Sequence, residues 1–139
     1  GLAETVSQDG GKTWTPVERS LIPHPTARFF VRRLQSGALL LVKHGPLDRR
    51  TRREQLMAFA SDDDGRTWQG GLMIDQRNDV TYPDGVQAAG GTIYIVYDHQ
   101  RTPAGEVLMA TFREEDVRAG KPVSGKTRFQ VCIDRLPAP

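Results

Sequence analysis

Three consecutive aspartates, Asp62, Asp63 and Asp64, form an acidic cluster of the kind that binds a hard cation such as Ca²⁺. A calcium loop also needs further oxygen ligands at set positions, and the residues that follow do not provide them. The cluster is equally typical of a tight turn, because Asp64 precedes Gly65 and glycine adopts positive φ at little cost. We therefore favour turn formation over a metal site at this position.

The turn belongs to a motif that occurs twice, as SQDGGKTW at 7–14 and as SDDDGRTW at 61–68. In the second copy we expect Ser61 and Asp63 to accept hydrogen bonds from turn amides, as short hydroxyl and carboxylate side chains do. Trp68 should restart a strand and pack its ring against apolar layers. The residues to which we assign these structural roles are Ser7, Asp9, Gly11 and Trp14 in the first copy and Ser61, Asp63, Gly65 and Trp68 in the second.

Other reactive side chains give little support for a metal, a cofactor or a nucleic-acid partner. The three histidines lack metal-ligand spacing and are expected in loops, and the single Cys132 cannot form a disulfide within the chain. The arginine-rich segment 48–53 has no interleaved aromatic residues that could stack on bases, and a solvated loop is favoured over an anion site. We expect no cofactor and no metal, and the net charge of +2 is too small to require a nucleic acid.

The elements that carry these residues repeat along the 139-residue chain. The segment 34–45 matches 86–99, with Gly37 and Gly91 separated by the same 54 positions as the two motifs, and 55–65 has a weaker counterpart at 106–116. Each unit reads as four short strands joined by turns, which is typical of propeller blades. The longest aliphatic run, 38–42, is too short to span a membrane.

This periodicity predicts an all-β fold, a β-propeller fragment of about two to three four-stranded antiparallel blades. We assign 1–25 to the end of one blade, 26–74 to a complete blade and 80–134 to the next blade. The segment 114–120 should form one helical turn that Gly120 ends. A closed propeller needs about four to eight blades, so we expect the remaining blades to lie outside this chain.

The two S-x-D-x-G-x-T-W motifs at blade spacing resemble the Asp-boxes of sialidases (neuraminidases), six-bladed β-propellers that are also described by their BNR repeats. The segment TYPDGVQAAGGTIYIVYD (81–98) is similar to a late sialidase blade, and the resemblance places Tyr82 at the position of the catalytic nucleophile. In the preceding blade, PTARFFVRRLQSG (25–37) places Arg28 where sialidases have an arginine that binds the substrate carboxylate.

This resemblance implies an exo-acting glycoside hydrolase that removes a terminal acidic sugar, such as sialic acid, from a glycan. A neutral tyrosine suits that reaction, since the sugar carboxylate would repel a carboxylate nucleophile. Arginine suits the binding of the sugar carboxylate, because its planar fork donates paired hydrogen bonds to a carboxylate. Arg32 shares the face of Arg28 on a strand, Asp84 and Asp98 are the carboxylates nearest Tyr82, and Arg101 follows the same strand. These four residues are further candidates for substrate binding.

Two departures keep other functions open. Pro83 and Asp84 follow Tyr82 where sialidases have small polar residues, and neither the activating glutamate nor the acid/base aspartate has a match. The alternatives are a non-catalytic propeller that binds glycans or proteins, and a related propeller glycosidase or lyase that acts on another sugar. For the full-length protein we expect a secreted or periplasmic location, because enzymes that trim glycans are commonly exported.

Overall fold

Ten β-strands and one helix are present in the computed structural model, which describes residues 1–101 and 105–137. The strands form where aliphatic, aromatic and β-branched residues are concentrated, since these side chains suit extended backbone. The strands are β1 (Ala3–Glu4), β2 (Glu18–Arg19), β3 (Phe30–Arg33), β4 (Leu39–His44), β5 (Glu54–Ser61), β6 (Gln69–Asn78), β7 (Val80–Gln87), β8 (Ile93–His99), β9 (Glu106–Phe112) and β10 (Arg128–Arg135). The helix, α1 (Glu114–Ala119), lies between β9 and β10.

The strands form three antiparallel sheets in the described parts of the chain. β1 and β2 form an N-terminal hairpin. Blade 1 has the order β3-β4-β5-β6, and blade 2 has the order β7-β8-β9-β10, so each strand pairs with its neighbour in sequence. Four-stranded meanders of this kind are the unit of a β-propeller. The predicted fold class, an all-β propeller fragment with antiparallel blades, is therefore confirmed.

The hydrophobic core lies between blade 1 and blade 2. Residues paired directly across two strands share a face, so Leu40, opposite Ala60, and Val42, opposite Ala58, point to the same side of blade 1. The small alanines of β5 let the second blade pack closely on this side. The buried core side chains are Leu34, Leu40, Val42, Leu56, Ala58, Ala60, Leu72, Ile74, Val80, Ile93, Ile95, Tyr97, Leu108, Ala110, Phe112 and Val117.

The first hairpin of each blade turns in the same way. Gly37 and Gly91 have φ of 94° and 83°, values that favour glycine, and their amides donate to the carbonyls of Leu34 and Ala88, respectively. These two turns lie 54 residues apart, as the sequence repeat predicts.

The two motifs with the pattern S-x-D-x-G-x-T-W form turns with the same hydrogen bonds. In the second copy the Asp63 carboxylate accepts from the amide of Thr67 at 2.8 Å and from its hydroxyl at 2.6 Å. Ser61 Oγ accepts from the amide of Gly65 at 2.8 Å and donates to Asp63. Bonds of the same kind join Ser7, Asp9, Gly11 and Thr13 in the first copy. Donation from Thr13 and Thr67 lowers the pKa of Asp9 and Asp63 to about 2.

The tryptophans that end the two motifs differ in their surroundings. Trp68 is half-buried and lines a cavity of about 170 Å³ between the N-terminal hairpin and blade 1, with Val31 and Leu41. Trp14 is 60% exposed, and its indole nitrogen donates to the carbonyl of Gly11. The ring of Trp68 thus packs toward the preceding sheet, while Trp14 remains largely exposed in the described structure.

A short helix, α1, stands between β9 and β10, where blade 1 has the turn of the second motif. It ends at Gly120, whose φ of 66° is left-handed, as predicted. Asp116 lies in this helix and accepts hydrogen bonds from the amides of Arg113, Val123 and Ser124 and from the Ser124 hydroxyl. The buried Asp116 carboxylate therefore satisfies several amides of its turn, as Asp63 does in blade 1.

The acidic cluster at 62–64 does not converge on one point. Asp62 pairs with Arg118 at 2.7 Å, Asp63 bonds its own turn, and Asp64 accepts from Arg33 at 2.6 Å. Within residues 1–101 and 105–137, no group of three or more histidine, cysteine or acidic side chains is placed to hold a metal ion. The six residues of α1 are too few to cross a membrane, and no longer apolar helix occurs in the described chain.

The expectation that all three histidines lie in loops is wrong. His44 ends β4 and His99 ends β8, and both are buried, because blade packing covers these strand ends. His24 lies in the connection before β3 and is also fully buried.

Candidate functional site

The candidate site lies at the edge of the blades where β3 and β7 begin, which we call the mouth edge. The loop between β4 and β5 and the connection from β6 to β7 reach the same edge, because strands alternate in direction. The motif turn containing Asp63 connects β5 to β6 at the opposite edge. Six-residue β4 spans roughly 20 Å between these edges.

Tyr82 lies near the start of β7 in an irregular part of the strand. The pairing of β7 with β8 shifts between Thr81 and Asp84, which accommodates Pro83, a residue without an amide to donate. Tyr82 has a φ of 54° and its side chain is 39% exposed. The bulge therefore presents the tyrosine at the mouth edge instead of packing it into the core.

A guanidinium covers the ring of Tyr82. The central carbon of Arg101 lies 3.9 Å from the ring centroid, within the range of a cation–π contact. Arg101 Nε also donates to Asp98 at 2.8 Å, and this hydrogen bond raises the pKa of Arg101. The other oxygen of Asp98 accepts from the hydroxyl of Thr81, the residue opposite it in the ladder. Tyr82, Arg101 and Asp98 therefore form one connected cluster.

Arg28 reaches the same strand from blade 1. Its guanidinium lies 3.8 Å from the carboxylate of Asp84, and both side chains are 59% exposed. Arg28 and Tyr82 are 54 residues apart, so they occupy equivalent positions before and within the inner strands of consecutive blades. Arg32 lies within β3 opposite Leu40, exposed and without a hydrogen bond or ion pair to any described residue. The structure thus brings Arg28 to Asp84, two residues after Tyr82 in β7, and leaves Arg32 without a side-chain contact of this kind.

Arg53 is a further residue of this site that the sequence analysis did not single out. It lines a cavity of about 200 Å³ together with Asp79, Thr81, Gln100 and Arg101, and it donates to the carbonyl of Thr26. Its position along the chain could have indicated this role, because Arg53 directly precedes β5, which starts at the mouth edge. The cavity is therefore lined by two arginines, Arg53 and Arg101, and the second of these stacks on the ring of Tyr82.

Backbone strain is concentrated at the mouth edge. Among the described residues, six that are not glycine have positive φ, and four of these, Gln55, Asp79, Tyr82 and Gln100, lie at this edge. Such conformations cost of order 1–3 kcal/mol each and tend to occur at functional sites. The amide of Gln100 donates to the carbonyl of Asp79, which ties two of the strained residues together.

A buried histidine pair lies below the start of β7. His44 Nε2 is 2.7 Å from the carbonyl of Val80, and His44 Nδ1 is 3.3 Å from His24 Nε2. Because the carbonyl can only accept, His44 Nε2 carries its hydrogen, and His24 Nε2 donates to His44 Nδ1. Burial lowers the pKa of both imidazoles, that of His24 to about 4. The pair is therefore neutral at pH 7.

A second tyrosine, Tyr97, is held within the core. Its hydroxyl donates to the buried Asp75 carboxylate at 3.0 Å, and that carboxylate also accepts from Arg77 and Gln130. Burial raises the pKa of Tyr97, which is 2% exposed. Tyr97 and Asp75 therefore link the two blades, in contrast to the exposed Tyr82.

A comparison with protein families identifies the repeat. The model of the BNR repeat-like domain matches residues 2–95, which is more than half of the chain. The chain belongs to the BNR repeat-like domain family. The match covers both S-x-D-x-G-x-T-W motifs, blade 1 and the beginning of blade 2, including Tyr82. Neither the curated proteins nor the solved structures contain a match to the chain.

Membership of the BNR repeat-like family confirms the predicted relationship to the sialidase-type superfamily of BNR repeats. It identifies the repeated blade architecture, which hosts more than one function. Any assignment of chemistry therefore depends on the Tyr82 cluster itself.

Proposed function

We propose that this BNR repeat-like chain is part of a sialidase-like glycoside hydrolase that removes a terminal acidic sugar, such as sialic acid, from glycans. The observation that carries the proposal is the position of Tyr82, an exposed tyrosine at the mouth edge with the Arg101 guanidinium stacked on its ring. A tyrosine hydroxyl needs a base or nearby cations to act as a nucleophile, and this cluster supplies cations.

The arginines around Tyr82 fit an acidic substrate. Arg28 and Arg53 reach the mouth edge from blade 1, and Arg101 reaches it from blade 2. A guanidinium binds a carboxylate through paired hydrogen bonds, so we assign Arg28 and Arg53 to the sugar carboxylate. Arg101 positions and supports the tyrosine, and Arg32 remains a candidate for a contact farther along β3.

The proposed reaction proceeds in two displacements. Tyr82 Oη gives its proton to a general base and bonds to the anomeric carbon, while the glycosidic C–O bond breaks and the leaving oxygen takes a proton from a general acid. Water then attacks the anomeric carbon and gives a proton to the conjugate base of the general acid, and the departing Tyr82 oxygen regains its proton from the protonated general base. Asp98 is held by Thr81 and Arg101, and Asp84 pairs with Arg28, so we assign the proton transfers to carboxyl groups elsewhere in the full propeller. Asp84 and Asp98 instead orient the arginines.

A non-catalytic glycan-binding propeller is the second candidate. The contacts of Asp84 and Asp98 favour it, because both carboxylates near Tyr82 are paired with arginines and are therefore poorly suited to transfer a proton. An arginine stacked on a tyrosine also makes a surface on which a sugar ring can lie. The same cluster would then bind an acidic sugar without cleaving it.

The hydrolase proposal is tested with the full-length protein and a fluorogenic sialoside. We expect turnover that Tyr82→Phe abolishes while the melting temperature stays unchanged, because the substitution removes only an exposed hydroxyl. Tyr94→Phe is the matched control, since Tyr94 is 36% exposed and lies on β8 four residues before Asp98, away from the cluster around Tyr82. Its turnover should equal that of the unchanged protein.

Two results would contradict the proposal. Equal turnover by Tyr82→Phe would remove Tyr82 from the nucleophile role. An absence of turnover, combined with retention of sialosides on a glycan array, would establish the binding function in its place.

A further inference from the structure

Asp79 is the one acidic side chain, among the described residues, that lines the cavity shared by Arg53 and Arg101. It is exposed, and no described residue pairs with its carboxylate or donates a hydrogen bond to it. The carboxylates of Asp84 and Asp98, by contrast, are both paired with arginines. Asp79 therefore differs from these two residues, because its oxygens are available to a ligand.

The two arginines of the cavity are each held by a partner other than Asp79. Arg53 donates through Nη2 to the carbonyl of Thr26, and Arg101 donates through Nε to Asp98. Their remaining N–H groups have no hydrogen-bond partner among the described residues. The cavity therefore presents unpaired donors on two guanidinium groups and unpaired acceptors on one carboxylate.

The backbone that carries the Asp79 carboxylate is anchored on both sides. Its φ of 56° is left-handed, a conformation that aspartate and asparagine adopt more readily than most residues. Its carbonyl accepts from the amide of Gln100, and the carbonyl of the next residue, Val80, is bonded to the fully buried His44. The position of Asp79 at the cavity wall is therefore set before a ligand binds, which lowers the entropic cost of binding.

We propose that Asp79 is a specificity-determining residue of this site, which selects a hydroxylated acidic sugar over a simple anion. The inference rests on the proposed function, in which Arg53 binds the sugar carboxylate. A hydroxyl of the same sugar then donates to the carboxylate of Asp79. Without Asp79, the two guanidinium groups would attract any oxyanion, including inorganic sulfate, which has no hydrogen to donate.

The Asp79 carboxylate acts in opposite directions on the two kinds of ligand. It accepts a hydrogen bond from the sugar hydroxyl, which stabilises the bound sugar. It repels sulfate, which carries two negative charges and only acceptor oxygens. Specificity often depends on such a repulsive contact with the wrong ligand as well as on an attractive contact with the right one. A substitution that removes only the charge of Asp79 should therefore weaken the binding of one ligand and strengthen that of the other.

The test measures equilibrium binding of free sialic acid and of inorganic sulfate, each titrated into the full-length protein by calorimetry. Low ionic strength is used, because exposed charges are then least screened. Asp79→Asn is the informative change, since asparagine tolerates the same left-handed backbone and lacks the charge. We expect it to weaken the binding of sialic acid about fivefold, since a neutral acceptor forms the weaker hydrogen bond. Sulfate should bind about threefold more tightly, because a like charge has been removed.

Two further variants complete the design. Arg53→Gln removes a guanidinium that either ligand contacts in this cavity, so it should weaken the binding of both. Asp48→Asn is the matched control, because Asp48 is exposed in the β4–β5 loop and does not line the cavity. It changes the net charge of the protein by the same amount as Asp79→Asn and should leave both affinities unchanged.

The proposal is overturned if Asp79→Asn weakens the binding of both ligands or of neither, or if Asp48→Asn has the same effects. Unchanged binding of both ligands by Arg53→Gln would also overturn it. If sialic acid does not bind the unchanged protein, the proposed function fails, and the sulfate titration of Asp79→Asn still decides whether Asp79 excludes anions. Tyr82→Phe should bind both ligands normally, so failure of the nucleophile assignment is distinguishable from failure of this inference.

Discussion

Tyr97 and Tyr82 offer a comparison in which the same chemical change should have opposite effects. Both tyrosines lie in blade 2, yet Tyr97 is 2% exposed and donates to the buried carboxylate of Asp75, whereas Tyr82 is 39% exposed at the mouth edge. Replacing Tyr97 by phenylalanine removes one hydrogen bond and no carbon atoms. We therefore expect Tyr97→Phe to reduce stability and to preserve activity per folded molecule.

The size of the effect follows from the remaining partners of Asp75. A hydrogen bond to a charged group contributes about 1.5–3 kcal/mol. Asp75 keeps its bonds from Arg77 and Gln130 after the substitution, so its charge stays partly compensated. The lower end of the range applies, and the free energy of unfolding should fall by about 1.5 kcal/mol. With a urea m-value of about 1–3 kcal/mol/M, the unfolding midpoint should fall by about 0.5–1.5 M.

The assay is urea unfolding of the full-length protein, followed by fluorescence, with turnover or glycan binding measured on the same samples. Tyr94→Phe serves as the control, because Tyr94 is partly exposed and its hydroxyl has no hydrogen bond to a described residue. An unchanged urea midpoint for Tyr97→Phe would show that the bond to Asp75 does not hold the blades together. A normal midpoint with lost activity would make Tyr97 the functional tyrosine and would refute the reasoning on Tyr82.

Three further predictions concern the scaffold. Asp63→Ala removes the hydrogen-bond acceptor of its turn, so it should lower the melting temperature in a thermal scan while specific activity stays normal. Lost activity at an unchanged melting temperature would instead place the motif in the functional site. Gly70→Ala should lower the free energy of unfolding in urea by more than about 1 kcal/mol, because φ is 87° and an added Cβ would lie 2.0 Å from the carbonyl oxygen of Val117. An unchanged urea midpoint would contradict this packing of α1 on β6. The His24–His44 pair is neutral in the folded protein, whereas the same histidines in the unfolded chain become protonated at a higher pH. The free energy of unfolding should therefore fall as pH decreases from about 6.5 toward about 4. A His44→Gln variant should show a weaker dependence on pH in this range.

The repeat and the turns were predictable from the sequence because each depends on local residue types. Gly37 and Gly91 mark equivalent hairpins, and Asp63 and Gly65 form their turn from residues close in the chain. The helix at 114–119 was likewise signalled by Gly120. Local chemistry determines these features, so no knowledge of the neighbouring blade was needed.

The mouth edge was less predictable because its contacts join residues far apart in sequence. Arg53 looked like one of several arginines in a solvated run, and only the folded loop distinguishes it from Arg49. The buried positions of His44 and His99 depend on how one blade covers the strand ends of another. Residue type alone also could not show that Arg101 stacks on Tyr82.

The period of 54 residues allows equivalent positions to be compared between blades. At the turn opposite the mouth edge, Gly37 corresponds to Gly91, and both residue and conformation are the same. At the mouth edge, Arg28 corresponds to Tyr82, and the residue types differ. His44 corresponds to Asp98: the histidine is buried and bonded to a backbone carbonyl, whereas the aspartate holds Arg101.

The first hairpin turn repeats because each blade must form the same strand pairing, and a substitution that breaks this turn destabilises the blade that carries it. Side chains at the mouth edge are free of that constraint, since they do not determine how the strands pair. A ligand that lies across several blades presents a different part of its surface to each blade, so different residues are needed at equivalent positions of the blades. The divergence at the mouth edge, within a repeat that keeps its first hairpin turn, is therefore what a binding site shared between blades requires.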